Sequence, residues 1–170
     1  KAANFVASLP LIGRIYNGWG LGAFLAWHWD GNPQIFAHGY VLDARFFAED
    51  VMRSSMTTQG WDSLTKRYGF DAVITQRTQL ESSVWKRNLY RPEWRLVFWN
   101  DEAVVFLRAR DEYKDLLEQY EYRFVDLVGA KTGKGFTTDP ERVRREARRL
   151  LEDAGAASHA GKIAAAVLRR

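Results

Sequence analysis

The strongest constraint on this chain is an alternation of two hydrophobic periods between residues 14 and 75. Short apolar runs at 14–17, 34–38 and 71–75 have the composition of β-strands. Between them, apolar residues recur three or four apart, as on one face of a helix. Gly18-Trp19-Gly20-Leu21-Gly22 opens an apolar helix reaching about Trp29, and Asp30-Gly31-Asn32-Pro33 is a turn. Phe47, Val51, Met52 and Met56 share a face near 44–56, and Trp61, Leu64 and Tyr68 do so near 60–68. Gly69 is suited to stop the second of these helices. Strand, helix and strand in that order imply right-handed crossovers and a parallel sheet.

The pattern changes after Pro92. Leu80, Val84 and Trp85 suggest a helix near 78–88 just before it. Trp94–Trp99 and Ala103–Arg108 are β-rich and separated only by Asn100-Asp101-Glu102, which predicts a hairpin. Tyr113, Leu116, Leu117, Tyr120 and Phe124 mark an amphipathic helix. Gly129–Gly135 is polar and glycine-rich, a boundary by composition. Beyond it, Thr138 and Glu141 form a capping box with Pro140 in the first turn. Val143, Ala147, Leu150, Leu151 and Ala154 then form one stripe, and Ala160, Ile163, Ala164 and Val167 a second. The expected fold is α/β: a Rossmann-like layered fold with a mostly parallel sheet, an antiparallel edge hairpin and a C-terminal helical hairpin. Residues 1–128 form the domain, 129–137 a flexible linker and 138–170 a helical, tetratricopeptide-like appendage.

Composition removes several classes of function. The 170 residues contain no Cys, which excludes disulfide scaffolds, thiolate metal sites and cysteine nucleophiles. The three His, at 28, 38 and 159, have no metal-ligand spacing, so no metal site is expected. No Gly-x-Ser-x-Gly elbow is present, and Gly133-Lys134 lacks the glycine spacing and following Ser/Thr of a phosphate loop. The net charge is +4, and residues 141–170, with eight Lys and Arg against four Asp and Glu, account for all of it. Those arginines alternate with Glu141, Glu146, Glu152 and Asp153, the pattern of a solvated helix face, so no nucleic-acid partner is expected. The basic tail suits an anionic membrane surface or a protein partner. The longest apolar run, Trp19–Trp29, falls short of the roughly 20 residues of a bilayer span. The chain opens on Lys1 without Met or a signal peptide and is expected to be a piece of something longer.

Four ordered blocks carry a family resemblance. They are Gly13-Arg14-Ile15-Tyr16-Asn17 with Trp19–Trp27, then Gly60-Trp61-Asp62-Ser63-Leu64-Thr65-Lys66-Arg67-Tyr68-Gly69-Phe70-Asp71, then Trp94-Arg95-Leu96-Val97-Phe98, and last Asp101–Arg108. Residues 1–110 so resemble the extracytoplasmic domain of large bacterial membrane proteins of the GT-C glycosyltransferase type, akin to protein mannosyltransferases. The resemblance implies a multi-span protein using polyprenyl-phosphate sugars, whose sugar-transfer residues lie in the membrane portion. No catalytic residue therefore carries over to this chain, and no cofactor is expected. The implied partners are its own membrane-embedded portion and a lipid-linked sugar or acceptor, at the extracytoplasmic (periplasmic) face. Where the family has Phe-x-Asp-Gly-Arg, this chain has Phe36-Ala37-His38-Gly39-Tyr40, without the carboxylate or the guanidinium.

Two alternatives stand beside that reading. Gly18, Gly20 and Ala23 match a Gly-x-Gly-x-x-Ala dinucleotide pattern between a strand and a helix, although His38 occupies the place of the expected acidic residue. The second alternative is a protein-interaction module preceding a helical repeat array. Ligands of open α/β sheets gather at the carboxyl ends of strands. Asn17, Gly18, Gly20, His38, Tyr40, Gln76 and Arg77 are the candidate ligand-binding residues on that rule.

Overall fold

The computed structural model describes residues 1–11, 13–40, 43–125 and 139–169. In chain order its elements are α1 (Ala2–Ser8), β1 (Arg14–Asn17), α2 (Gly22–Trp29), α3 (44–56), α4 (Thr58–Tyr68), β2 (Phe70–Gln76) and α5 (Ser83–Leu89). There follow β3 (Trp94–Trp99), β4 (Ala103–Arg108), α6 (Lys114–Tyr120), α7 (Pro140–Ala154) and α8 (His159–Leu168).

The described strands form one sheet in the order β1-β2-β4-β3. β1 and β2 are parallel, and β2–β4 and β4–β3 are antiparallel. The sheet is therefore mixed, which corrects the expectation of a mostly parallel one. The expected strand at 34–38 is missing, and the cause is a side chain. Asn17 Oδ1, at the end of β1, accepts from Phe36 N at 2.6 Å and Ala37 N at 3.2 Å, while its Nδ2 donates to Ala37 O at 2.7 Å. One buried amide thus takes the backbone groups a ladder would have used. The hairpin at 94–108 is present, closed by Asn100 Oδ1 accepting from Glu102 N and Ala103 N at 2.9 and 2.8 Å.

The two-residue period of the strands sorts side chains between two layers of helices. Tyr16, Val73, Val104 and Phe106 face one layer and pack with Trp61, Leu64, Trp85 and Leu89. Ile15, Ala72, Ile74, Val105 and Leu107 face the other and pack with Val6, Leu25, Trp29 and Tyr113. In β3 the pairing slips between Leu96 and Phe98, so Val97 is an extra residue. That bulge lets Leu96 and Trp99, three apart, sit on the same face.

Residues beyond 139 join the first of these cores. Val143, Ala147, Leu150, Ala160, Ala164 and Val167 pack into it. Glu146, 2% exposed, accepts from Arg123 N, Phe124 N and Val125 N at 3.1, 2.9 and 2.9 Å and pairs with Arg142 Nε at 3.1 Å. The α7 cap is Asp139, whose Oδ1 accepts from Arg142 N at 2.9 Å. Thr138, the expected cap, and the expected linker 129–137 lie outside the described residues. The predicted helix over 113–124 stops at Tyr120 because Tyr122 N turns to donate to Leu96 O of β3 at 2.8 Å.

Candidate functional site

The carboxyl ends of the parallel pair β1 and β2 border a slot of about 310 Å³. Its floor comes from Tyr16, Gly18 and Thr75 at those strand ends, and its walls from Trp19, Phe47 and Trp85. Gln76 and Gln79 stand at its polar side. The Trp19 and Phe47 rings meet at 4.9 Å with a 61° interplanar angle. Burial pushes the Tyr16 phenol up to about 12, against the opposing hydrogen bond of Ser54, so it stays neutral.

Phe47 and Val51 border the slot from the middle of α3. Residues Phe47–Met52, in the middle of α3, form a π-helical stretch in which Arg53 N donates to Ala48 O, five residues back. A widened turn of this kind shifts the side chains after it off the ordinary helical register. The simple period expected for 44–56 did not reveal it.

The seven residues predicted to bind ligand divide into two groups. Gly18, Gly20 and Gln76 line the slot. Asn17 lies beneath, 1% exposed, with its amide fully engaged on the 36–37 backbone. His38 Nδ1 accepts from Tyr40 N at 3.1 Å, and Tyr40 is 81% exposed. Arg77 Nε donates to Asp101 O at 3.0 Å and so braces the β3–β4 turn. Of Asn17, His38, Tyr40, Gln76 and Arg77, expected to converge at the strand ends, only Gln76 lines the slot. Thr75, Trp19, Phe47, Gln79 and Trp85 were missed. Thr75 directly precedes Gln76 on the predicted strand and faces the side that Val73 faces, so the period-two rule would have found it.

The glycines have a packing reason. A Cβ on Gly18 would lie 2.4 Å from Thr75 Oγ1, and one on Gly22 would lie 2.1 Å from Ala37 O. Gly18 N already donates to Ile74 O at 2.8 Å, extending the parallel ladder. A 3₁₀ turn, Trp19–Leu21, then separates it from α2. The Gly18 amide is thus engaged within the sheet and is not available to a phosphate.

On the opposite layer, α2 is apolar all round except for His28. Leu25 and Trp29 face inward, and Trp29 Nε1 donates to Ala3 O at 3.0 Å. Outward it presents Phe24, 50% exposed, and Trp27, 79% exposed. Among the described residues no helix is long and apolar enough to cross a membrane, and no group of three or more His, Asp or Glu is placed to hold a metal ion. Comparison with protein-family models, curated proteins and solved structures finds no match to this chain.

Proposed function

We propose that this chain is an extracytoplasmic domain of a multi-span membrane protein resembling a polyprenyl-phosphate-sugar-dependent glycosyltransferase. In this reading it is Rossmann-like in its layering, with residues 140–169 as a helical hairpin. It braces the membrane-embedded portion or positions a lipid-linked sugar or acceptor, and it performs no chemistry alone. The observation that carries the proposal is the outer face of α2. A helix apolar on all sides is normally covered on all sides. Here Phe24 and Trp27 are left facing outward. Aromatic side chains of this kind suit a surface that rests at a membrane boundary or on membrane helices. The order of the four sequence blocks, from Gly13 to Arg108, supplies the kind of parent protein.

The intact gene product that carries this chain is expected in the membrane pellet after an alkaline carbonate wash. Recovery in the supernatant would overturn the proposal.

A further inference from the structure

The slot beside β1 and β2 lies under α3 and α5, in the layer opposite to α2, and its chemistry is independent of how α2 is covered. Among the described residues no charged side chain lines it. Thr75 is 0% exposed, and its Oγ1 has no hydrogen-bond partner. Leaving a buried hydroxyl unpaired is costly, so an orphan of this kind calls for an explanation. It faces the bare Cα of Gly18, where a Cβ would stand only 2.4 Å away. Beside it are two neutral amides, Gln76 and Gln79, and the Ser55 hydroxyl.

We propose that this slot binds a neutral pyranose-class sugar. A sugar ring has an apolar C–H face and a rim of hydroxyls. The Trp19 and Phe47 rings offer a wall for the first. The Thr75 hydroxyl and the two amides, able to donate and accept, match the second, and the Ser55 hydroxyl, which donates to Met52 O at 2.8 Å, adds an acceptor. The volume, about 310 Å³, sits at the low end of the roughly 300–1,000 Å³ range of ligand pockets and suits a single ring. A phosphorylated or carboxylated sugar would enter without a cation to meet it. A purely aliphatic ligand would leave the Thr75 hydroxyl as orphaned as before.

The test titrates the purified chain with glucose, mannose, galactose and N-acetylglucosamine, each to 100 mM, following tryptophan fluorescence. At least one sugar is expected to give a saturable change. Thr75→Val removes a hydroxyl that bonds to nothing in the free chain, so its melting temperature should hold or rise while the apparent Kd for that sugar weakens about tenfold. Trp19→Ala should abolish the signal. The octyl glycoside of the same sugar, below its micelle concentration, separates the sources: tighter binding assigns a lipid-linked sugar, and equal binding a free one. The proposal is overturned if no sugar saturates, if Thr75→Val binds as well as the parent chain, or if cyclohexanol binds as tightly as the sugar. A failed titration leaves the membrane reading standing, since that reading is judged by fractionation of the intact product.

Discussion

Glu146→Gln is the substitution that most sharply tests how the C-terminal helices are held. Glu146 Oε1 accepts from Arg123 N and Arg142 Nε, and Oε2 accepts from Phe124 N and Val125 N. A glutamine has one oxygen and one NH2. Whichever way it is turned, the NH2 meets two N–H donors, and two hydrogen bonds become donor-to-donor contacts. Two unsatisfied buried donors cost about 1–3 kcal/mol each, and breaking a buried ion pair costs about 3–5 kcal/mol. The two figures describe the same loss and do not add, and Arg142 keeps part of its compensation from Glu121, 3.9 Å away, so the total sits at the lower end of the ion-pair range. We expect a loss of about 3–4 kcal/mol, a large share of the ~5–15 kcal/mol stability of an ordinary domain. At about 2–4 °C per kcal/mol for a chain of this size, the melting temperature should fall by roughly 10 °C. Urea and thermal unfolding followed by circular dichroism measure it, with the exposed Glu141→Gln as control. A loss under about 1 kcal/mol for Glu146→Gln would refute the reasoning and separate α7 from the body of the fold.

Three further predictions follow from single side chains. Asn88 is 0% exposed and neither end of its amide has a partner, so Asn88→Leu should keep or raise the melting temperature, by up to about 1 kcal/mol of stability. Gly22→Ala would set a Cβ 2.1 Å from Ala37 O, against backbone rather than a movable side chain, and should free the 34–40 segment, read as faster amide exchange at Phe36 and Ala37. Asp101 reaches from the β3–β4 turn to accept from His159 N at 2.7 Å and Ala160 N at 2.8 Å at the start of α8. Burial pushes its carboxyl up, but those two N–H groups, with His159 and Arg77 nearby, outweigh it and hold it below the usual carboxylate range. Its contribution is present above the unfolded value near 3.9 and is lost as pH falls through the lower folded one. Melting scans from pH 6 to pH 2 should therefore converge for the parent chain and Asp101→Asn at the acid end, and diverge at the other.

Much of the fold was legible because β4, and β2 from Ala72 onward, keep a clean period of two. Val73 and Thr75 point one way, and Ala72 and Ile74 the other, and both sets are apolar enough to need helices over them. The turn at Asn100 was legible for the same local reason. Three features were not, and in two of them a side chain does a backbone's work. Asn17 replaces a strand pairing with its amide, so 34–38 has the composition of a strand without the ladder. The π-helical stretch in α3 alters register without altering composition. Glu146 looked like one of a row of solvated charges alternating with arginines, yet it is buried among the backbone amides of residues 123–125. Of the seven residues named by the strand-end rule, Gly18, Gly20 and Gln76 line the slot. The rule could not tell which neighbours point there, because His38 is engaged by Tyr40 N within its own loop and Arg77 by Asp101 O of the β3–β4 turn.

The central claim is that α2 meets the membrane side of a larger protein, and the absence of Cys makes it directly measurable. Trp27→Cys, labelled with an environment-sensitive fluorophore, places a reporter on the exposed face of α2. Arg144→Cys, on the exposed side of α7, serves as the reference. In the intact gene product reconstituted in nanodiscs, the label at 27 should shift to the blue and resist an aqueous quencher, while the label at 144 stays as it is in the isolated chain. Equal quenching at both positions would contradict the account.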